Sequence, residues 1–92
     1  MEYITQDKVT ISVHDVDGTT YIAFAPKEKY DGNFGMLTYW CGIVCGAMKA
    51  KGITMQAQCR YNFATIIVDG IEARKINEIV FRLLNDIEIV SI

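Results

Sequence analysis

The feature that most constrains the fold is a predicted β-hairpin in TISVHDVDGTTYIAF, residues 10–24. Asp17-Gly18 suits a two-residue turn, because both central positions of such a turn need positive φ angles. The turn sets a register in which large apolar side chains pair on one face and mixed side chains on the other. The predicted pairs are Val13 with Ile22, Ile11 with Phe24, His14 with Tyr21 and Ser12 with Ala23.

A first helix is predicted over residues 34–50, with Asp31 or Asn33 as its cap and Gly52 as its end. Its apolar arc is wider than one sheet face requires, so either the second helix or a partner covers the remainder. We expect the second helix to do so, and a homo-oligomer is compatible with the alternative.

A second, amphipathic helix is predicted in DGIEARKINEIVFRLLND, residues 69–86. Asp69 and Glu72 have the spacing of a capping box, and Glu78 and Arg82 are placed to pair at i,i+4. One apolar stripe runs along the helix and consists of Ile76, Ile79, Val80, Leu83 and Leu84.

Two further strands are predicted in ITMQAQC, residues 53–59, and FATIIV, residues 63–68. A turn at residues 60–62 sets Ala57 opposite Ile66 and Met55 opposite Val68. A last strand is predicted over residues 87–92. The element order is then ββαββαβ, which predicts a single α+β domain over residues 1–92, with an antiparallel sheet and two helices packed on one face.

Composition limits the classes of function. The chain is 51% apolar and 22% charged, with a net charge of −2 and no basic block that would attract nucleic acid by itself. The N-terminus lacks the pattern of a signal peptide, and no apolar run approaches the roughly 20 residues that cross a bilayer. Three cysteines, an odd number, favour reduced thiols. We therefore expect a cytoplasmic protein with no membrane association.

The segment YWCGIVCG raises the question of a metal or redox site at Cys41 and Cys45. Only Cys59 and His14 remain to complete a four-ligand zinc site, and both belong to other segments. A redox pair is more often C-x-x-C at a helix N-terminus. Packing explains the pair better, since Gly42 and Gly46 form an adjacent small-residue row that would let another backbone approach. We expect no metal and no cofactor.

No catalytic residue is predicted. His14 is the only histidine, and we expect it to be a solvated residue on the open face of its strand. Asp15 and Asp17 are accounted for by the turn. The chain contains no phosphate-binding glycine loop, no dinucleotide fingerprint and no nucleophile elbow. We therefore expect that the protein is not an enzyme.

An RNA-binding domain is one alternative. From Thr19 onward the order βαββαβ is that of RNA-recognition and ferredoxin-like domains, and Arg60, Tyr61 and Phe63 faintly match the basic and aromatic pattern of such sheets. The usual glycine and the motif of the first strand are missing, so direct nucleic-acid contact is not favoured. A regulatory domain that binds a small molecule through residues 30–35 is a second alternative.

Two segments are the best candidates for partner binding. The loop KEKYDGNFG, residues 27–35, combines both charge signs with an aromatic ring and glycines, and the open face of the second hairpin is polar with one aromatic side chain. The predicted partner-binding residues are Lys27, Glu28, Lys29, Tyr30, Asp31, Asn33, Gln56, Gln58, Arg60 and Phe63, with Thr65 on the same sheet face.

With one small mixed domain, no catalytic motif, reduced cysteines and polar loops, the whole chain resembles small bacteriophage accessory proteins of the anti-CRISPR inhibitor type. The resemblance implies a protein that binds a host protein or nucleoprotein complex and blocks a nucleic-acid path or a docking site. Such inhibitors often dock through charge on basic surfaces, a role open here to Glu28, Asp31 and Asp86. The resemblance thus implies an inhibitor that performs no chemistry.

Overall fold

A computed structural model of the chain describes residues 2–5, 8–26, 34–60, 63–71 and 73–87. Within these residues the chain forms five strands and two helices. They are β1 (Glu2–Ile4), β2 (Val9–Val16), β3 (Thr19–Pro26), α1 (Phe34–Ala50), β4 (Gln56–Cys59), β5 (Ala64–Asp69) and α2 (Ala73–Ile87). The predicted α+β class is confirmed.

The five strands form one antiparallel sheet in the order β1-β2-β3-β5-β4. Because β5 lies between β3 and β4, the unit β3-α1-β4 is a split β-α-β arrangement. Helix α1 packs on β3, β4 and β5, helix α2 packs on β2 and β3, and the two helices contact each other. Both helices therefore cover one face of the sheet and leave the other face open.

The first hairpin has the predicted turn and register. Asp17 and Gly18 have φ angles of 52° and 84°, as a turn with two left-handed residues requires. The Asp15 carboxylate accepts a hydrogen bond from the Gly18 amide at 3.1 Å. This side-chain bond stabilises the turn in addition to the backbone hydrogen bonds between the two strands. All four predicted cross-strand pairs are present.

The core lies between the helices and the covered sheet face. It takes every second residue of the three central strands, as the pleat requires, and one stripe of each helix. The sheet contributes Val9, Ile11, Val13, Ile22, Phe24, Ala64, Ile66 and Val68; the helices contribute Leu37, Trp40, Cys41, Val44, Met48, Ile76, Val80 and Leu84. The predicted stripe of α2 is confirmed, with Ile79 and Leu83 at its half-buried edge.

Helix α1 ends as predicted, at a glycine in the left-handed region. Gly52 has a φ of 76°, its amide donates to the Lys49 carbonyl at 3.0 Å, and the Ile53 amide donates to the Met48 carbonyl at 3.1 Å. This pair of bonds is the Schellman arrangement, which satisfies carbonyl groups that the helix leaves open. Ile53 also packs against the core, so the end of α1 directs the chain toward β4.

Strand β1 is absent from the predicted order. It pairs with β2, with Tyr3 opposite Ile11 on the covered face. The Tyr3 ring is buried, and its hydroxyl donates to Asn77 Oδ1 on α2 at 2.8 Å. Burial raises the pKa of Tyr3. These contacts hold a three-residue strand at the sheet edge.

Several boundaries differ from the prediction, including those of β5, which runs from Ala64 to Asp69 and not over residues 63–68. Strand β4 begins at Gln56, so Met55 precedes it and the pairing of Met55 with Val68 is wrong, whereas Ala57 does pair with Ile66. The capping box is also wrong, because Asp69 is the last residue of β5 and accepts a hydrogen bond from Thr19 Oγ1 at 2.9 Å.

Helix α2 extends through residue 87, one residue beyond its predicted end, and the rest of the predicted last strand lies outside the described residues.

Candidate functional site

The predicted partner-binding residues divide into two groups. Lys27, Glu28, Lys29, Tyr30, Asp31 and Asn33 lie outside the described residues. Of the small-molecule site predicted at residues 30–35, residues 30–33 also lie outside them, and residues 34 and 35 begin α1. Gln56, Gln58, Arg60 and Phe63 are all exposed and belong to the hairpin formed by β4 and β5. The structure therefore brings together the sheet-face half of the predicted site.

These side chains share the open side of the sheet. Gln58 pairs with Thr65, while the adjacent pair of Ala57 and Ile66 is on the covered side, where Ile66 is fully buried. At the end of the hairpin the Arg60 amide donates to the Phe63 carbonyl at 2.7 Å, and the Phe63 side chain is 42% exposed. We call Gln56, Gln58, Arg60, Phe63 and Thr65 the β4–β5 surface.

The open face continues from the β4–β5 surface across the central strands. One row runs from Gln58 through Thr65 and Ala23 to Ser12, and the next from Gln56 through Ile67 and Tyr21 to His14. His14 is exposed, as predicted for this face. Polar side chains thus alternate with half-buried apolar ones on this face. Such a mixture of polar and apolar groups is typical of protein surfaces that contact another macromolecule.

Strand β4 adds a second property to this region. Within the described part of the chain it pairs only with β5, so its outer backbone edge forms the boundary of the sheet. Its sequence, QAQC, contains none of the lysine or proline residues that often protect such edges. A free edge of this kind can accept a strand from a partner by backbone hydrogen bonding.

The three cysteines form a cluster, which sequence reasoning missed. Cys41 is buried on α1, and the thiols of half-buried Cys45 and exposed Cys59 lie within hydrogen-bonding reach of its own. Burial, the neighbouring thiols and their hydrogen bonds raise the pKa of Cys41 to about 12. The available signal was the alternation of β4, which directs Cys59 to the side that α1 covers.

This cluster does not reproduce the predicted set of potential zinc ligands. His14 lies on the open face, opposite the helices, and no group of three or more histidine, cysteine, aspartate or glutamate residues is arranged to hold a metal ion among the residues described. Cys41 itself is only 3% exposed and belongs to the hydrophobic core. Packing is therefore the role that the structure gives to Cys41.

The small-residue row on α1 does not have the predicted role. Gly42 and Gly46 lie on the exposed side of the helix, and a Cβ atom at either position would meet none of the residues that the structure describes within 4 Å. Tyr39, on the same side, is 51% exposed. The second helix covers part of the apolar arc, and the outer side of α1 stays open to solvent.

Comparison of the chain with protein-family models, with curated proteins and with solved structures finds no match. Neither helix in the described ranges combines the length and apolar character that crossing a bilayer requires.

Proposed function

We propose that this chain is a binding module without catalytic activity, and that it inhibits a host nucleoprotein complex of the CRISPR type by covering its nucleic-acid path. The observation that carries the proposal is the β4–β5 surface, where an exposed aromatic ring, a guanidinium group and two amide side chains share one side of a sheet. The identity of the target rests on the resemblance of the whole chain to such inhibitors.

The β4–β5 surface has the chemistry of a protein interface. Aromatic and arginine side chains are enriched at the centres of interfaces, and a few of them usually supply most of the binding energy. Phe63 is the exposed aromatic of this surface and Arg60 lies directly beside it in the hairpin end. Gln56 and Gln58 supply donors and acceptors along the free edge of β4. We therefore place Phe63 and Arg60 at the centre of the contact.

Inhibition by occlusion needs no chemical step. A module that occupies a nucleic-acid path lowers the affinity of the complex for its target by mass action, in proportion to its own affinity. We expect inhibition to saturate at one chain per binding site and to be reversed by dilution.

The test is a gel-shift assay in which purified CRISPR interference complexes bind labelled target DNA with increasing amounts of this chain. The proposal predicts stoichiometric loss of the shifted band. The double variant Phe63→Ala/Arg60→Glu should weaken inhibition by about tenfold or more, because removal of a central anchor costs about 2 kcal/mol. Tyr39→Ala, an exposed aromatic on the opposite layer, is the matched control and should inhibit normally. A panel of complexes that bind DNA equally with and without the chain would refute the proposal.

RNA binding is the second candidate, and one observation favours it. Tyr21 lies on the open face of central strand β3, next to Ile67 of β5, so an aromatic ring is available for base stacking near the middle of the sheet. Glu2 and Asp69 carry negative charge on the same face, which weakens attraction for phosphates. Copurification of RNA that Tyr21→Ala abolishes and Phe63→Ala reduces would favour this candidate over inhibition.

A further inference from the structure

A groove of about 490 Å³ lies between the end of α1 and the outer side of α2, on the helical layer and away from the β4–β5 surface. Its apolar part is formed by Ala47 on α1 and by Ile79 and Leu83 on α2. All three side chains are half-buried, so the two helices leave a strip of their apolar surface in contact with solvent. This strip joins the half-buried edge of the α2 stripe to Ala47 of α1.

The rim of the groove is basic. Lys51, Lys75 and Arg82 line it, against a single carboxylate, Glu78, among the described lining residues. Glu78 and Arg82 pair at 2.8 Å, but their side chains are 59% and 76% exposed, so the pair is weak and open to exchange with another anion. No carboxylate forms an ion pair with Lys51 or Lys75 in the part of the chain that the structure describes. The groove is locally positive on a chain whose net charge is −2.

The placement of these charges indicates the kind of ligand. The cations lie on the exposed rim, whereas sites for small molecules usually enclose most of the ligand and aim a few polar groups inward. An apolar floor between two helices with charged rims is typical of a groove that receives a third, amphipathic helix. Such a ligand must carry carboxylates at its edges, because the rim is cationic.

The spacing on α2 defines the ligand further. Lys75 and Arg82 are seven residues apart, about 10.5 Å along the helix axis, with Ile79 between them. A ligand helix that packs alongside α2 can pair with both cations when two of its acidic residues are also seven apart. Two apolar residues, three and four positions after the first acidic residue, would then lie on the same face and contact the apolar floor of the groove. We propose that the α1–α2 groove binds an acidic amphipathic helix of a partner protein with the pattern Glu-x-x-Leu-Leu-x-x-Glu. The inference does not depend on the proposed function, because it uses the opposite layer of the molecule.

The experiment titrates the full chain into a labelled, end-capped peptide of about 18 residues that carries this pattern in an alanine- and glutamine-based helix, with fluorescence anisotropy as the readout. The proposal predicts saturable binding that weakens as salt rises from about 50 to about 300 mM. The variant Lys75→Glu/Arg82→Glu should bind about tenfold more weakly or worse, since two exposed ion pairs and local attraction are lost. Lys8→Glu, an exposed cation beside β2, is the matched control and should bind as the wild type does.

A charge exchange makes the test specific. A peptide with lysine in place of both glutamates should bind the Lys75→Glu/Arg82→Glu variant and not the wild type. A third peptide, with the same composition and the two leucines moved to the opposite face, should bind neither protein. Circular dichroism and thermal unfolding of each variant verify that the fold is retained.

Several results would overturn the proposal. They are failure of the patterned peptide to bind the wild type, equal binding of the peptide with displaced leucines, and unchanged binding by the double variant. Saturable binding of decanoate with chemical-shift changes confined to the Ile79 and Leu83 methyl groups, without peptide binding, would instead assign the groove to a small amphipathic acid. The gel-shift result with Phe63→Ala/Arg60→Glu is independent of all these outcomes.

Discussion

Gly42 and Gly46 occupy interior positions of α1 on its solvent-exposed side, and they provide the sharpest test of how that side is used. Glycine destabilises a helix because its backbone loses more conformational freedom on folding than that of alanine. No atom of the described residues lies within 4 Å of the place where a Cβ atom would stand at either residue. Replacement by alanine therefore removes the entropic penalty without creating a clash.

The expected magnitude follows from helix propensity. Each Gly→Ala replacement in an exposed helix interior should raise the free energy of unfolding by about 0.5 to 1 kcal/mol. The gain arises separately in the backbone of each residue, so Gly42→Ala/Gly46→Ala should gain about 1 to 2 kcal/mol. For a domain of this size that gain raises Tm by roughly 5 to 15 °C. The matched control is Gly52→Ala, which should lose about 1 to 2 kcal/mol because residue 52 has a φ of 76°.

The assay is urea unfolding followed by circular dichroism, with Tm from thermal unfolding at two protein concentrations. The reasoning is refuted if alanine at residues 42 and 46 lowers the free energy of unfolding while Gly52→Ala behaves as expected. Such a result would mean that another backbone packs on the exposed side of α1. A Tm that rises with protein concentration only in the wild type would identify that backbone as a second copy of the chain.

Three further predictions concern Trp40, Tyr3 and the three cysteines. Trp40→Phe should change the free energy of unfolding by less than about 1.5 kcal/mol, as measured by urea unfolding. Trp40 Nε1 is buried without a hydrogen-bond partner in the described residues, so its removal offsets the packing that is lost. A loss of stability above about 3 kcal/mol would contradict this prediction. As pH rises from about 9 toward 12, the free energy of unfolding should fall by up to about 1.4 kcal/mol per pH unit, because the unfolded chain releases the Cys41 proton at a lower pH than the folded chain does. Cys41→Ala should make this slope shallower. The part of the slope that remains above about pH 10 comes from the buried Tyr3 hydroxyl. Alkylation with iodoacetamide in the native state should modify Cys59 first, Cys45 next and Cys41 only in denaturant, as peptide mass spectrometry would show, and early modification of Cys41 would contradict the cluster.

The parts of the fold that sequence predicts well are those where one local signal determines the geometry. Asp17-Gly18 permits few turns, so the whole register of the first hairpin follows from two residues. The stripe of α2 is equally local, because its polar face is charged and leaves one orientation. Strand β1 has no such signal, since its stability depends on a contact between Tyr3 and Asn77, which lie far apart in sequence.

The error on α1 has a different physical cause. The helix is apolar on nearly all sides, so the sequence does not distinguish its inner from its outer face. In the structure, the side of α1 that carries Trp40 and Val44 packs on the sheet, and the side that carries Gly42 and Gly46 is exposed to solvent. The same ambiguity concealed the contact of Cys59 with Cys41, because that contact depends on which side of α1 faces β4. The β4–β5 surface was predictable, since alternation alone assigns its residues to one face.

Net charge proves a poor guide to the surfaces of this chain, and the reason bears on both proposals. A value of −2 predicts no strong field, yet Asp15, Asp17 and Asp69 lie at one end of the sheet, with Arg74 nearby. Lys51, Lys75 and Arg82 line the groove on the helical layer. Charges of opposite sign on separate faces cancel in the sum but not in the local potential, which acts within about 8 Å at physiological salt. A partner therefore meets an acidic end or a basic groove, and each selects ligands of the opposite sign. Binding at either place should weaken as salt rises, because both contacts depend on attraction between opposite charges.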